Sequence, residues 1–388
     1  MNILIQLSHP AHFHLYKNAI RNCQKKGHMV FVLIKTKDIL ENLLQNAGIE
    51  YFNILPVAHR GSKLGILWDM IVRDWRIMRF CRKHAIDVLS GSTPEVAQVA
   101  RLLGLKSINT TEDDAIVIGA VVKALQPFIK CMLAPIPCKM GSIEKHTVHY
   151  PSYHELAYLH PNHFTPSREV VDSYGIDTSK PYFILRFASL NAHHDDGIKG
   201  INTEIAQRLV DILSPHGQIY ITSERELEPQ FEPYRIRINP LDMHHVMAFA
   251  SLYIGDSQTM AAEAGVLGTP FVRFNDFVGR IGYLRELEDV YQLGYGIHAS
   301  PLTEDSTIRR NDSTVQPSGT EALYSAVEAL VAMPANERRT LFHTRREKVL
   351  RDKIDYAKYL TWFIENYPAS AKETKDKQTN NTFWEQFK

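Results

Sequence analysis

The sequence predicts an α/β protein built of two Rossmann-like domains that face each other across a cleft. Three observations predict it. The 388 residues exceed one ordinary core and suit two α/β domains of comparable size. The first half alternates short β-rich runs with helical patterns, as parallel βαβ units do. A second alternation of the same kind opens at Tyr182, after a stretch with no sustained period.

In order, residues 2–7 form a strand, 13–26 a helix stopped by Gly27, and 29–34 the next strand. Residues 38–47 carry Ile39, Leu43, Leu44 and Ala47 at helical spacing and end at Gly48, since glycine just past a helix is the expected stop. After a loop at 60–64 come helix 67–83, strand 87–90, helix 95–103 and strand 107–110. The Pro, His, Tyr and Ser texture of 146–182 predicts an interdomain connection. Then follow strand 182–187, helix 202–213, strand 218–222, helix 244–250, strand 253–255, helix 260–267 and strand 271–274. Helices 320–332 and 335–367 close the fold. The expected division is 1–160 for the first Rossmann-like domain and 161–345 for the second. Residues 346–368 form a helix packing back on the first domain, and 369–388 a mobile polar tail.

Composition narrows the function classes. Apolar residues at 44% and charged residues at 22% describe a globular protein. Lys and Arg number 44 against 43 Asp and Glu, so no global field recruits nucleic acid. The four cysteines form no CxxC pair, which fits a reducing compartment with neither a disulfide framework nor a zinc site. Met1 leads directly into strand-like residues without a basic segment or cleavage site, so a cytoplasmic protein is expected. The apolar stretch 115–135 is broken by Lys123, Gln126, Pro127 and Lys130, a poor membrane span.

The segment from Ile254 to Pro270, IGDSQTMAAEAGVLGTP, gives a strand, a tight loop, a helix, a glycine stop and the next strand. Ser257 suits an N-cap, and the amides around Gln258, Thr259 and Met260 are then the unpaired donors of the first helical turn. Such an end binds anions such as a diphosphate. Glu263, one turn further in, can accept from two vicinal hydroxyls, as on a ribose. Ala261, Ala262, Ala264 and Gly265 allow close approach.

This segment resembles the donor-site signature of GT-B proteins. The peptidoglycan N-acetylglucosaminyltransferase and the non-hydrolysing UDP-N-acetylglucosamine 2-epimerase carry a comparable Ser-led loop, a helix with glutamate and a Gly-x-Pro exit. The resemblance implies that Ser257, Gln258 and Thr259 hold a diphosphate and Glu263 a ribose. The run from His9 to His12, together with Asn275 to Arg280, is similar along nearly the whole chain to a prokaryotic GT-B-like family of unknown function. The implied substrate is a nucleotide-diphosphate sugar, with UDP the expected nucleotide, no tightly bound cofactor and no catalytic metal. The acceptor is open, with lipid-linked and polysaccharide precursors as the classes to consider. The leading activity is glycosyl transfer; a 2-epimerase-like isomerase and a non-catalytic nucleotide-sugar binder are the alternatives. The epimerase has an aspartate early in its counterpart of the loop holding Ser90, Gly91 and Ser92, which favours transfer.

Several other positions carry candidate chemistry. The loop 8–14 follows a parallel strand at its carboxyl end, where open sheets place ligands. There His12 and His14 are candidate bases, and the resemblance to the transferase points to His12; local capping by His9, His12 and His14 is the competing reading. Asp113, in the acidic run 112–114, is a further base candidate. Arg186 closes a strand and can clamp a phosphate. Asn275 and Arg280 follow the strand after the signature helix, and with Tyr283 they are expected to rim its pocket. His193, His194, Asp195 and Asp196 form either a metal-ligand group or a solvated loop. The helix near 67–83 carries Trp68, Trp75, Arg73, Arg76, Arg79, Arg82 and Lys83. It is either a surface helix on an anionic membrane or a core stripe of Leu67, Ile71 and Met78 with a solvated basic face.

Overall fold

A computed structural model describes residues 1–36, 39–55, 63–188, 200–300 and 318–388. The chain divides into two compact units, Met1–His163 with Lys353–Lys388, and Phe164–Asp352.

The first unit holds strands β1 (Asn2–Leu7), β2 (Met29–Lys35), β3 (Phe52–Leu55), β4 (Val88–Gly91), β5 (Lys106–Thr110), β6 (Met132–Pro135) and β7 (Thr147–Tyr150). All pair in parallel, in the order β3-β2-β1-β4-β5-β6-β7. Its helices are α1 (Pro10–Lys25), α2 (Leu40–Asn46), α3 (Lys63–Lys83), α4 (Pro94–Leu103) and α5 (Gly119–Leu125). Strand interiors such as Leu4, Leu33 and Leu89 are fully buried and meet Ile77 of α3 and Val96 and Val99 of α4, because parallel sheets are covered on both faces. Helix α1 begins three residues before the apolar period does: His9 is its N-cap, accepting from the Ala11 amide at 3.2 Å, and Pro10 opens the first turn. Two strands, β6 and β7, lie in sequence that carries no alternation. Residues 147–163, expected in a connection, belong to this unit.

The second unit holds α6 (Arg168–Ser173), β8 (Tyr182–Phe187), α7 (Thr203–Leu213), β9 (Gln218–Ser223), α8 (Met243–Phe249), β10 (Leu252–Gly255), α9 (Gln258–Leu267), β11 (Phe271–Phe274), α10 (Gly282–Arg285), β12 (Gly294–Ile297), α11 (Gly319–Ala332) and α12 (Ala335–Asp352). The sheet is parallel, in the order β12-β11-β10-β8-β9. Arg273 of β11 is fully buried and bonds the Glu288 carboxylate through Nε and Nη2 at 3.0 and 2.8 Å. A side-chain β-carbon at Gly296 would sit 2.5 Å from that carboxylate, so glycine is required there.

The single helix expected over 335–367 is two helices, α12 and α13 (Tyr356–Asn366), broken at Lys353–Asp355. Asp355 caps α13 through the Lys358 amide at 3.1 Å and binds His163 Nε2 at 2.8 Å. The expected polar tail forms α14 (Ala369–Asp376) and α15 (Asn381–Glu385). Phe383, Trp384 and Phe387 are buried, with Trp384 and Phe387 ring centroids 5.5 and 5.2 Å from that of Tyr359. Three aromatic side chains within five residues outweigh the polar composition, since each brings a large apolar area. Among the described residues no helix is long and apolar enough to cross a membrane. Deleting residues 369–388 uncovers Tyr359; the expected result is a lower melting transition for the first unit with that of the second unchanged, read by calorimetry.

Candidate functional site

In the second unit the strand order reverses between β8 and β10, and ligands in open parallel sheets bind beyond the carboxyl ends at such a switch point. Gly255 and Arg186 are direct partners there. A β-carbon on Gly255 would lie 2.6 Å from the Tyr253 hydroxyl and 2.9 Å from the Arg186 β-carbon, so only glycine lets the two strand ends converge. Ser257 has extended backbone and caps α9, its Oγ accepting from the Met260 amide at 3.4 Å. The first intrahelical bond runs from the Ala261 amide to the Ser257 carbonyl, at 3.3 Å. The amides of Gln258 and Thr259 precede it and point out of the helix end. Both residues are half-buried. Gly268, in the left-handed region at φ 87°, ends the helix.

Three buried groups brace this edge. Asp256 is 3% exposed; Oδ1 accepts from the Ala188 amide at 2.6 Å and Oδ2 from the Ile201 amide at 3.3 Å. Burial pushes its carboxyl up to about 6, against the lowering effect of those amides. Asn275 is fully buried, donating to the Asp256 carbonyl at 2.8 Å and accepting from the Phe277 amide at 2.9 Å. Its amide is thus engaged on both sides, and its place is to position the loop after β11. Asp276 accepts from the Ser300 amide at 2.8 Å and lies 3.4 Å from His298 Nδ1.

The remaining predicted residues are spread around this edge. Arg186 is ion-paired with Glu224, and its Nε is buried with no hydrogen-bond partner among the described residues. Glu263 is 5% exposed, and His244 of α8 meets its Oε1 at 2.9 Å. The carboxylate is therefore held by a histidine the sequence did not single out. Arg280 is exposed, whereas Tyr283, expected at the rim, is buried in the core. The loop with His193, His194, Asp195 and Asp196 lies outside the described residues. The Tyr253 hydroxyl, beneath Gly255, is buried without a partner among the described residues. Only its apolar place in β10 was visible beforehand.

In the first unit the order reverses between β1 and β4. His12 stands at the β1 exit, its Nδ1 3.3 Å from both the Ser8 amide and the Ser8 hydroxyl. While that amide donates to Nδ1, the neutral ring carries its proton on Nε2. His14 is 9% exposed and packs against Phe13 and Tyr158, ring centroids 5.1 Å away in each case. This is a core position, a poor one for a base. Asp113 is half-buried in the loop after β5, its amide donating to Thr111 Oγ1 at 3.2 Å. Beside it, Glu112 meets His154 Nδ1 at 3.3 Å, and His154 Nε2 lies 3.0 Å from Thr110 Oγ1, which also contacts the Tyr356 hydroxyl at 3.0 Å. His154 had been hidden in sequence that looked like a linker.

Comparisons with known proteins bear on the fold. No protein-family model matches the sequence, and no curated protein matches it. Among solved structures, the spinosyn rhamnosyltransferase SpnG complexed with thymidine diphosphate covers 94% of this chain and 100% of its own, with a TM-score of 0.58 at 13% identity. The UDP-GlcNAc 2-epimerase of Neisseria meningitidis, bound to UDP-GlcNAc, covers 98% and 100%, with a TM-score of 0.58 at 11% identity. The Streptomyces sp. SF2575 glycosyltransferase SsfS6 covers 94% and 99%, with a TM-score of 0.57 at 12% identity. The chain has the GT-B fold, of which glycosyltransferases and a sugar-nucleotide epimerase are structural neighbours.

Because the Asp256 carboxyl titrates near 6 rather than at its ordinary 3.8, the folded state holds the proton more tightly than the unfolded one between those values. The stability this group contributes is full below 3.8 and is lost as pH rises through about 6. The difference in melting temperature between wild type and Asp256→Ala is expected to shrink over that window. A difference constant with pH refutes the assignment.

Proposed function

We propose that this protein is a glycosyltransferase that takes its sugar from a nucleotide-diphosphate donor held by the second unit. The observation that carries the reading is the capped N-terminus of α9 at the switch point, beside Gly255 and Arg186. The amides of Gln258 and Thr259 with the Ser257 hydroxyl receive the diphosphate, and an anion at such an end gains about 0.3–1 kcal/mol, or up to ~2 when partly buried. Arg186 supplies a cation after exchanging Glu224 for phosphate oxygen, and Arg280 reaches the sugar or phosphate from the loop after β11. Asn275 acts through that loop. Glu263 binds the ribose hydroxyls. A carboxylate has roughly four lone-pair sites, so the His244 bond orients it without saturating it.

In the reaction the donor's C1–O bond breaks, the nucleoside diphosphate leaves with the electron pair, and the acceptor oxygen bonds C1 as its proton passes to a base. Stabilising the leaving charge is a large catalytic effect, and α9 and Arg186 supply it without recourse to a metal. The first unit provides the base. His12 serves once the Ser8 amide releases Nδ1, which either takes the acceptor's proton directly or receives the ring proton by tautomerisation and leaves Nε2 to take it, and Asp113 is the second candidate. UDP and thymidine diphosphate are the nucleotides to try first, because complexes with thymidine diphosphate and UDP-GlcNAc occur among the structural neighbours. Glu112 and His154, beyond β5, support a second reading as a sugar-nucleotide epimerase, which converts UDP-GlcNAc with no acceptor present.

Two experiments test the reading. UDP or thymidine diphosphate is expected to raise the melting temperature, and Glu263→Ala to weaken that nucleotide roughly 10- to 100-fold, the worth of one or two hydrogen bonds to a charged group. Unchanged affinity removes Glu263 from the ribose. With an acceptor in hand, His12→Ala is expected to lower kcat about 10²–10⁴-fold while leaving the nucleotide-induced shift intact. Equal losses in binding and turnover place His12 elsewhere.

A further inference from the structure

Helix α3 presents an outer face with one chemistry. Of its described side chains, residues 68–83, seven are exposed. Three are apolar, Trp68, Ile71 and Trp75, at 56, 53 and 54% exposure, and four are basic, Arg76, Arg79, Arg82 and Lys83. At about 100° per residue these seven fall within roughly 140° of the helix circumference. The stripe is apolar toward the helix N-terminus and basic toward its C-terminus. The acidic side chains do not share it. Asp74 is half-buried, and it sits with Arg73, which is ion-paired to Glu95 of α4. Asp69 is half-buried as well. Of the expected core stripe, Met78 packs against the core but Ile71 points to solvent, the Leu67 side chain lies outside the described ones, and Arg73, Ile77 and Cys81 are turned inward.

We infer that the outer face of α3 docks on an anionic lipid bilayer. Two exposed indoles and an isoleucine on one face are costly in water. Elsewhere the large exposed apolar residues, such as Met29, Leu102 and Ile116, fall on separate elements. Indole rings suit the bilayer interface, where one edge is wet and the other apolar. Arg79 already stacks over Trp75, its guanidinium carbon 5.7 Å from the ring centroid, which holds the ring at the surface. The four basic residues supply the charge complementary to acidic headgroups on a chain whose overall charge is only +1. A nucleic acid would match the charges but offers nothing apolar to Ile71. The Arg73–Glu95 pair sets the middle of α3 beside the start of α4, which follows the carboxyl end of β4. Trp68 and Ile71 therefore lie toward the same edge of the first unit as His12 and Glu112.

The test is co-sedimentation of the full chain, without nucleotide, with vesicles rich in phosphatidylglycerol and with vesicles of phosphatidylcholine alone. Omitting nucleotide makes the result independent of the proposed transferase activity. Binding to the acidic vesicles is expected, weakening with salt, with a blue shift of tryptophan emission from Trp68 and Trp75, two of the four tryptophans. The double variant R79E/R82E is expected to lower partitioning roughly a hundredfold or more, and W68S/W75S to abolish the emission shift. Both pairs are solvent-facing, and an unchanged melting temperature verifies that each variant folds. Absence of sedimentation, equal sedimentation with neutral vesicles, or binding that survives both variants overturns the proposal. So does retention on nucleic acid in place of acidic vesicles.

Discussion

The Asp256 carboxylate accepts the amides of Ala188 and Ile201, which lie beyond the carboxyl end of β8, while it stands itself at the end of β10. The backbone ladder reaches as far as the Asp256 amide on the Arg186 carbonyl at 3.4 Å, and the carboxylate carries the tie on to residues that have left their strand. The carbonyl of the same residue takes the Asn275 amide and so fixes the exit of β11 as well. Three strand ends are thereby brought to one buried residue, whose carboxyl ionisation is disfavoured by burial. Without that tie the amides of α9 would still exist, but the loop after β8 would lose two of the bonds that set its distance from them. An anion site needs this preorganisation as much as it needs donors.

The first unit reaches a comparable end by other means. Its switch point lies between β1 and β4, where Gly91 is the direct partner of Gln6 and leaves no room for a side chain, since a β-carbon would sit 2.8 Å from the Gln6 carbonyl oxygen. Beyond β5 a network of hydroxyl, imidazole and carboxylate runs from Tyr356 through Thr110 and His154 to Glu112. Tyr356 comes from α13, so residues near the end of the sequence complete a polar cluster built on strands from its beginning.

The membrane-facing reading of α3 and the donor-site reading of α9 differ in what supports them. A helix N-terminus is a local device, fully specified by a cap residue and the turn that follows. The outer face of α3 became visible only after the neighbouring strands and α4 had claimed the other side of the helix. Burial of Arg73 and exposure of Ile71 invert the assignment that residue type alone suggests, because the ion pair of its Nη2 with Glu95 holds the guanidinium inside while among the described residues no surface covers the isoleucine.

The sequence by itself determined the α/β class and its two alternating halves, since periodicity and glycine stops are local properties of the chain. It also determined the Ser257-led helix start, which depends on a cap and one helical turn. The tertiary structure decided what depends on partners remote in sequence. It placed β6 and β7, whose short runs carry no period, and separated α12 from α13 through the Asp355–His163 bond. It gave Glu263 its histidine, put Asn275 and Tyr283 inside rather than at a rim, and turned a polar tail into two packed helices. A side chain's surroundings are fixed by which elements meet, and that information is distributed over the whole chain rather than written near the residue concerned.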